Sequence, residues 1–202
     1  MVRWEPGTRE RLYAAALELF ATRGYEQTTA AEIAQSIGLS ERTFFRHFAD
    51  KREVLFAGQG EFLGVFLAGV ADAPASAGPL ELVTASLRAA ATMFPDQRRS
   101  DVRLRQSVVA ANAALGEREQ HKMAVVAAAL SGALRERGVD EPAATLAARS
   151  AITVFSVAVA QWVRPDEQRS MGELLERTTA ELVALMTGAT TAVSTTETMT
   201  AR

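Results

Sequence analysis

Three helix-start signals fall between Thr29 and Glu53, and their spacing constrains the fold more than any other feature of the chain. Thr29 opens the capping box "TAAE" with Glu32, Ser40 is an N-cap residue, and Asp50 is followed three residues on by Glu53. Gly38 breaks the first of these helices, which runs through Ile33, Ala34 and Ile37; the second extends from Glu41 to about Phe48. Both are very short. Before them the spacing predicts a helix from about Pro6 to Arg23, with an apolar stripe of Leu12, Ala16, Leu19 and Phe20, ended by Gly24. After them a long helix is expected from Asp50 through Leu55, Phe62, Phe66 and Val70.

Two short helices joined by a tight glycine turn are the geometry of a helix-turn-helix. That geometry asks for a small residue where the helices cross, met by Ala34. It asks for a turn residue free of a Cβ, met by Gly38. Apolar residues must bury the pair, a condition met by Ile33, Ile37, Leu39 and Phe44. At 100° per residue, Phe44 and Phe48 share one face with Glu41 beside them, while Arg42, Thr43 and Arg46 point the opposite way. Phe45 and His47 lie on the shoulders. Phe44 and Phe48 are therefore expected in the core, and Phe45 at its edge.

The rest of the chain reads as helical. No period-2 alternation or hairpin signal is present, alanine is abundant, and apolar residues recur at helical spacing. The expected fold class is all-α, with about nine helices: an N-terminal helix-turn-helix domain over 1–56 and a C-terminal helical domain over 57–188. Residues 189–202, polar and threonine-rich, read as a disordered tail. "ADAPASAGP" (71–79) reads as a linker or boundary. Helices are expected at 80–94, 100–113, 117–137, 141–163 and 167–187, with breaks at Pro95, Gly116, Gly138 and Pro165.

The net charge of −2 argues against a generally basic coat, but Arg42, Arg46, Lys51 and Arg52 face Asp50 alone between 42 and 52. The absence of cysteine removes thiol chemistry, and neither Gly-x-Ser-x-Gly nor a Glu-x-x-His pair occurs, so no enzyme is expected. His47 and His121 are isolated, so no metal and no cofactor is expected. "GQGEFLG" follows a helix and is no nucleotide loop, and the basic run "RRSDVRLR" (98–105) reads as a solvated helix start. No uninterrupted apolar run reaches the roughly 18 to 20 residues of a membrane span. The first ten residues lack a secretory signal, so the expected location is cytoplasmic, with no membrane partner.

The stretch "TTAAEIAQSIGLSERTFFRHFADKREVL" resembles the DNA-binding region of the TetR family of transcriptional regulators. Thr28, Thr29, Ile33, Ala34, Gly38, Leu39, Ser40, Thr43, Phe45, Phe48, Lys51 and Leu55 fall on its pattern, and the match extends back over "ALELFATRGYEQTT". The resemblance implies that Thr28, Thr29, Thr43, His47 and Lys51 hold phosphates of an operator duplex. It implies that Arg42, with Glu41 or Arg46, reaches base edges, and Ser40 joins this candidate set. Family members often carry tyrosine at Phe45. Without that hydroxyl, Phe45 either covers a thymine methyl or simply packs.

The resemblance further implies a homodimer through the last two helices, 141–163 and 167–187, bound to a palindromic operator as a repressor. A small, mostly apolar effector would release it. Dimer candidates are Ala144, Ala147, Ala148, Ala151, Ile152, Phe155 and Val159, with Met171, Leu174, Leu175, Thr178, Leu182 and Leu185; the same stripes also suit the chain's own core. Candidate effector-lining residues are Phe62, Phe66, Met93, Phe94, Gln106, Phe155, Gln161 and Trp162. The alternative is a constitutive DNA-binding regulator, or a protein-interaction module, without an inducer.

Overall fold

The structure, a computed structural model, describes residues 7–188. The expected tail over 189–202 and the expected helix start at Pro6 lie outside the described residues. Among the described residues the chain forms ten α-helices, one 3-10 turn and no strand. The helix-turn-helix unit is built from α1 (Thr8–Arg23), α2 (Ala30–Ser36), α3 (Glu41–His47) and α4 (Lys51–Phe56). There follow α5 (Gln59–Ala71), α6 (Pro79–Ala91), the 3-10 turn Asp96–Arg98 and α7 (Arg99–Ala110). The chain closes with α8 (Ala113–Glu136), α9 (Ala143–Trp162) and α10 (Met171–Thr187).

The capping chemistry explains most of these limits, and it corrects three of the expected ones. The long helix after Asp50 is interrupted: Ala57 is extended and Gly58 takes φ +87°, a left-handed conformation that separates α4 from α5. Gly116 does not break a helix, because Asn112 caps α8 earlier by accepting from the Leu115 N–H at 3.1 Å. α10 starts later than expected, where Ser170 and Glu173 form a reciprocal capping box.

Two buried apolar clusters result. The first joins Leu12, Leu17, Phe20, Ile33, Phe44, Phe48, Val54, Leu55 and Phe56 with Val108, Val109 and Leu115. Residues of α7 and α8 thus complete the core of the helix-turn-helix unit. The second cluster gathers Phe62, Phe66, Leu82, Leu87, Val126, Leu130, Phe155 and Trp162 around α9. α5 and α6 cross closely within it. A Cβ on Gly69 would lie 2.6 Å from the Ala85 oxygen and from Ser86 Cα, and the Ser86 hydroxyl donates to the Phe66 carbonyl at 2.8 Å.

The segment 71–79 is therefore a connection inside one packed unit. Arg137 holds it down, donating to the carbonyls of Val70, Ala73 and Pro74. The basic run 98–105 is likewise no solvated helix start. Arg99 donates to the carbonyls of Trp162, Glu167 and Arg169, and Arg103 to those of Val163 and Arg164. These side chains satisfy the end of α9 and the following turn, where helix carbonyls otherwise lack partners.

Most of the stripe considered for dimer contact faces the chain's own core. Ala144, Ala148, Ala151, Ile152, Phe155 and Val159 are buried, as are Met171, Leu174, Leu175 and Thr178. Ala147 and Leu182 are half-buried, and Leu185 is exposed. A different apolar set looks outward from these helices: Leu146, Val157, Val183 and Met186. No uninterrupted apolar run of membrane-spanning length occurs, yet two segments are apolar enough on average to meet a looser test for a membrane span. The segments 51–71 and 143–162 pass that test by length and composition. In the fold, their apolar faces supply Phe62, Phe66 and Val70 and the buried face of α9.

Candidate nucleic-acid interface

α2 and α3 are set against each other by a turn whose hydrogen bonds are fully assigned. The Gly38 N–H donates to the Gln35 carbonyl at 3.0 Å and the Leu39 N–H to the Ala34 carbonyl at 2.9 Å. This is the Schellman pattern, and it places Gly38 at φ +74°. No atom lies within 4 Å of a Cβ built there, so conformation rather than space demands the glycine. Arg11 of α1 donates to the Ile37 carbonyl at 3.2 Å and so ties the turn to the first helix.

Ser40 starts α3, accepting from the Thr43 N–H at 3.2 Å, with its hydroxyl 3.0 Å from that of Thr43. The seven residues of α3 then divide sharply. Phe44 is wholly buried and Phe48, the C-cap, nearly so. Ser40, Glu41, Arg42, Phe45 and Arg46 are exposed, while Thr43 and His47 are half-buried. Ser40, Arg42, Thr43, Phe45 and Arg46 line one shallow open depression. The Phe44 ring meets the Phe45 ring edge-on, centroids 5.5 Å apart, and Phe48 lies 5.5 Å from Phe44 on the other side. Arg9 of α1 covers Phe48, its guanidinium carbon 5.4 Å from the ring centre.

Two of the five expected phosphate ligands are committed elsewhere. Thr28 is fully buried and its hydroxyl donates to the Gly24 carbonyl at 2.8 Å. Lys51 directs its ammonium group at three carbonyls, those of Tyr25 at 2.8 Å, Thr28 at 3.1 Å and Glu26 at 3.3 Å. With its three N–H donors so engaged, Lys51 fastens the α1–α2 loop instead of facing outward. Thr29 is exposed and caps α2: its backbone and hydroxyl both donate to the Glu32 carboxylate, holding the Glu32 pKa below the usual range.

The helix-turn-helix unit is joined to the second core through Phe56 at the end of α4. Arg105 of α7 and Arg118 and Lys122 of α8 all sit over this ring, 5.3, 4.9 and 6.0 Å from its centre. Glu119 binds Arg105 and Lys122, each at 2.6 Å, and Arg118 pairs with Glu53 of α4. Burial lowers the Lys122 pKa to about 8, with Arg105 adding to the effect. Burial alone would raise Glu119, but Arg105 and Lys122 outweigh it and hold its carboxyl low. Arg105 also donates to the Leu55 carbonyl at 2.9 Å, and Asn112 to the Glu26 carboxylate at 2.8 Å. Apart from the i, i+3 pair of Glu119 and Lys122, these partners lie 14 or more residues apart, so no local spacing in the sequence announces them.

The expected effector-lining residues separate into two places. Phe62, Phe66, Phe94, Phe155 and Trp162 form one cluster of edge-on rings with centroids 5.1 to 5.8 Å apart, with Met93 packed against the same core. Gln161 is half-buried next to Trp162 in sequence. Gln106 is apart from them, lining a groove between α7 and α8 with Arg105, Asn112, Glu119 and Gln120.

Residues 12–57 match the family described as bacterial regulatory proteins, tetR family. The chain is 43% identical over 82 residues to the HTH-type transcriptional regulator TcmR of Streptomyces glaucescens, which is 41% of this chain and 36% of that one. The chain thus spans about a third of the length of that relative. Among solved structures it is similar to Thermus thermophilus FadR, a TetR-family transcriptional repressor in complex with lauroyl-CoA. Identity there is 24%, coverage is 90% of this chain and 95% of that one, and the TM-score is 0.53. It is also similar to KstR2, the ketosteroid transcriptional regulator of Mycobacterium tuberculosis, at 21% identity, 92% and 96% coverage and a TM-score of 0.54. At those identities the likeness is one of fold.

Proposed function

Because the chain belongs to the TetR family of DNA-binding transcriptional regulators, we propose that it acts as a homodimeric repressor that binds a palindromic operator. In this reading the exposed face of α3 enters the major groove. Arg42 and Arg46 reach base edges, since a guanidinium forks onto guanine O6 and N7. Ser40, Glu41 and Thr43 lie beside them, and Thr29 and His47 meet backbone phosphates. The observation that carries the reading is the division of α3, with Phe44 and Phe48 in the core and every exposed cation on the other side.

The dimer face is assigned to the outward side of α9 and α10, where Leu146, Val157, Val183 and Met186 leave apolar surface in water. Two readers related by a two-fold axis address half-sites roughly 34 to 36 Å apart. The proposed effector is small and mostly apolar and takes the aromatic cluster around Phe155, entering beside half-buried Met93 and Phe94. FadR with its lauroyl-CoA supports an apolar class of ligand on this fold without naming one for this chain.

Selection of bound sites from a random DNA pool, using the full chain, tests the reading. An enriched inverted repeat is expected, and Arg42→Glu with Arg46→Glu should abolish its binding while the helical signal and melting temperature stay unchanged. Retention of binding by that double variant would refute the assignment of α3. Compounds that release the complex would then identify the effector; a complex that none releases favours a constitutive regulator.

A further inference from the structure

Phe45 is an apolar ring with 50% of its surface exposed, and no other phenylalanine among the described residues is classed as exposed. It stands between Arg42 and Arg46 on the rim of a depression whose other walls are Ser40 and Thr43. Its setting is rigid: the ring is braced edge-on by buried Phe44, and Phe44 by Phe48. A braced ring presents its surface with little conformational freedom to lose on binding.

The chemistry of the ring narrows what it can meet. Phe45 has no hydroxyl, so it offers no hydrogen bond to a phosphate. Among the groups exposed in the major groove, the C5-methyl of thymine is the apolar one. Resting on the assignment of α3 to the major groove, we propose that Phe45 is a specificity-determining residue that reads the C5-methyl group of one thymine in each half-site. The flanking guanidiniums fix the register, and the ring between them turns an apolar contact into a base preference.

The test isolates the methyl group. In the selected operator, each thymine of a half-site is replaced in turn by deoxyuridine, which keeps base pairing and removes only the methyl. One position per half-site is expected to weaken binding about fourfold, the loss that follows from exposing one methyl group, and both positions together about fifteenfold. Phe45→Ala should bind the thymine and uracil operators equally, and Phe45→Leu should restore part of the preference. Uracil tolerated at every position by the unaltered chain would overturn the proposal and leave Phe45 against the sugar, while DNA binding itself stands. A selected half-site without an invariant thymine would overturn it too. Failure to enrich any DNA would overturn the DNA-binding reading and this proposal with it.

Discussion

Lys51 Nζ lies 2.8 Å from the Tyr25 carbonyl oxygen and 4.4 Å from the centre of the Tyr25 ring, so one ammonium group engages the same residue twice. The Glu26 and Thr28 carbonyls complete its surroundings. α4 thereby grips the loop that delivers α2. The grip depends on a compact cation whose three donors diverge, a shape that the planar fork of arginine does not share.

Lys51→Met should therefore destabilise the chain by about 2 kcal/mol, the range for a hydrogen-bonded charged group. Lys51→Arg should recover only part of that. Urea unfolding measures both, and amide exchange at Tyr25 through Thr29 should accelerate in each. Full stability in Lys51→Met would show that the loop is held by something else.

Adjacent phenylalanines should behave oppositely. Phe44→Ala removes a fully buried ring and should cost about 3 to 5 kcal/mol. Phe45→Ala removes a half-exposed ring and should cost under about 1 kcal/mol, with its effect appearing in DNA binding. Thermal unfolding of the two variants decides; equal losses would contradict the division of α3.

The glycines of α5 provide a second contrast. Gly69→Ala sets a Cβ 2.6 Å from the backbone of α6, and the resulting separation of the helices should outweigh the helix-propensity gain of about 1 kcal/mol. Gly60→Ala and Gly64→Ala meet nothing within 4 Å and should stabilise by up to about 1 kcal/mol. Melting temperatures should move in opposite directions.

Lys122 makes stability depend on alkaline pH. Its pKa falls from 10.5 to about 8 on folding, so between those values the unfolded chain binds more protons than the folded one. Stability from this group therefore rises with pH across that window. In Lys122→Met the titration is gone and Glu119 keeps Arg105 as its partner. The variant should be the more stable at pH 7, and its advantage should shrink by up to about 3 kcal/mol by pH 10.5. Parallel stability curves for the two proteins would exclude the burial assigned to this ammonium.

What could be read from the sequence was local. The caps at Thr29, Ser40 and Asp50 and the glycine turn at Gly38 are made within three to five residues, so residue types at fixed offsets suffice to find them. The inward set of Phe44 and Phe48 followed from helical periodicity alone. Lys51 and Arg105 escaped because their partners lie about 25 and 50 residues away and are mostly backbone carbonyls. The side of α9 that faces the core could not be chosen, since a helix with Leu146 and Val157 on one side and Ile152 and Phe155 on the other is apolar both ways.

The two lysines of the chain, against twenty arginines, both direct their ammonium groups at internal partners. Arg42 and Arg46, the exposed cations of α3, carry planar guanidinium groups and no primary amine. Acetylation, succinylation and other chemistry directed at side-chain amines therefore find no target on α3. Under the reading proposed above, the positive charge that α3 presents to a duplex lies out of reach of amine-directed modification.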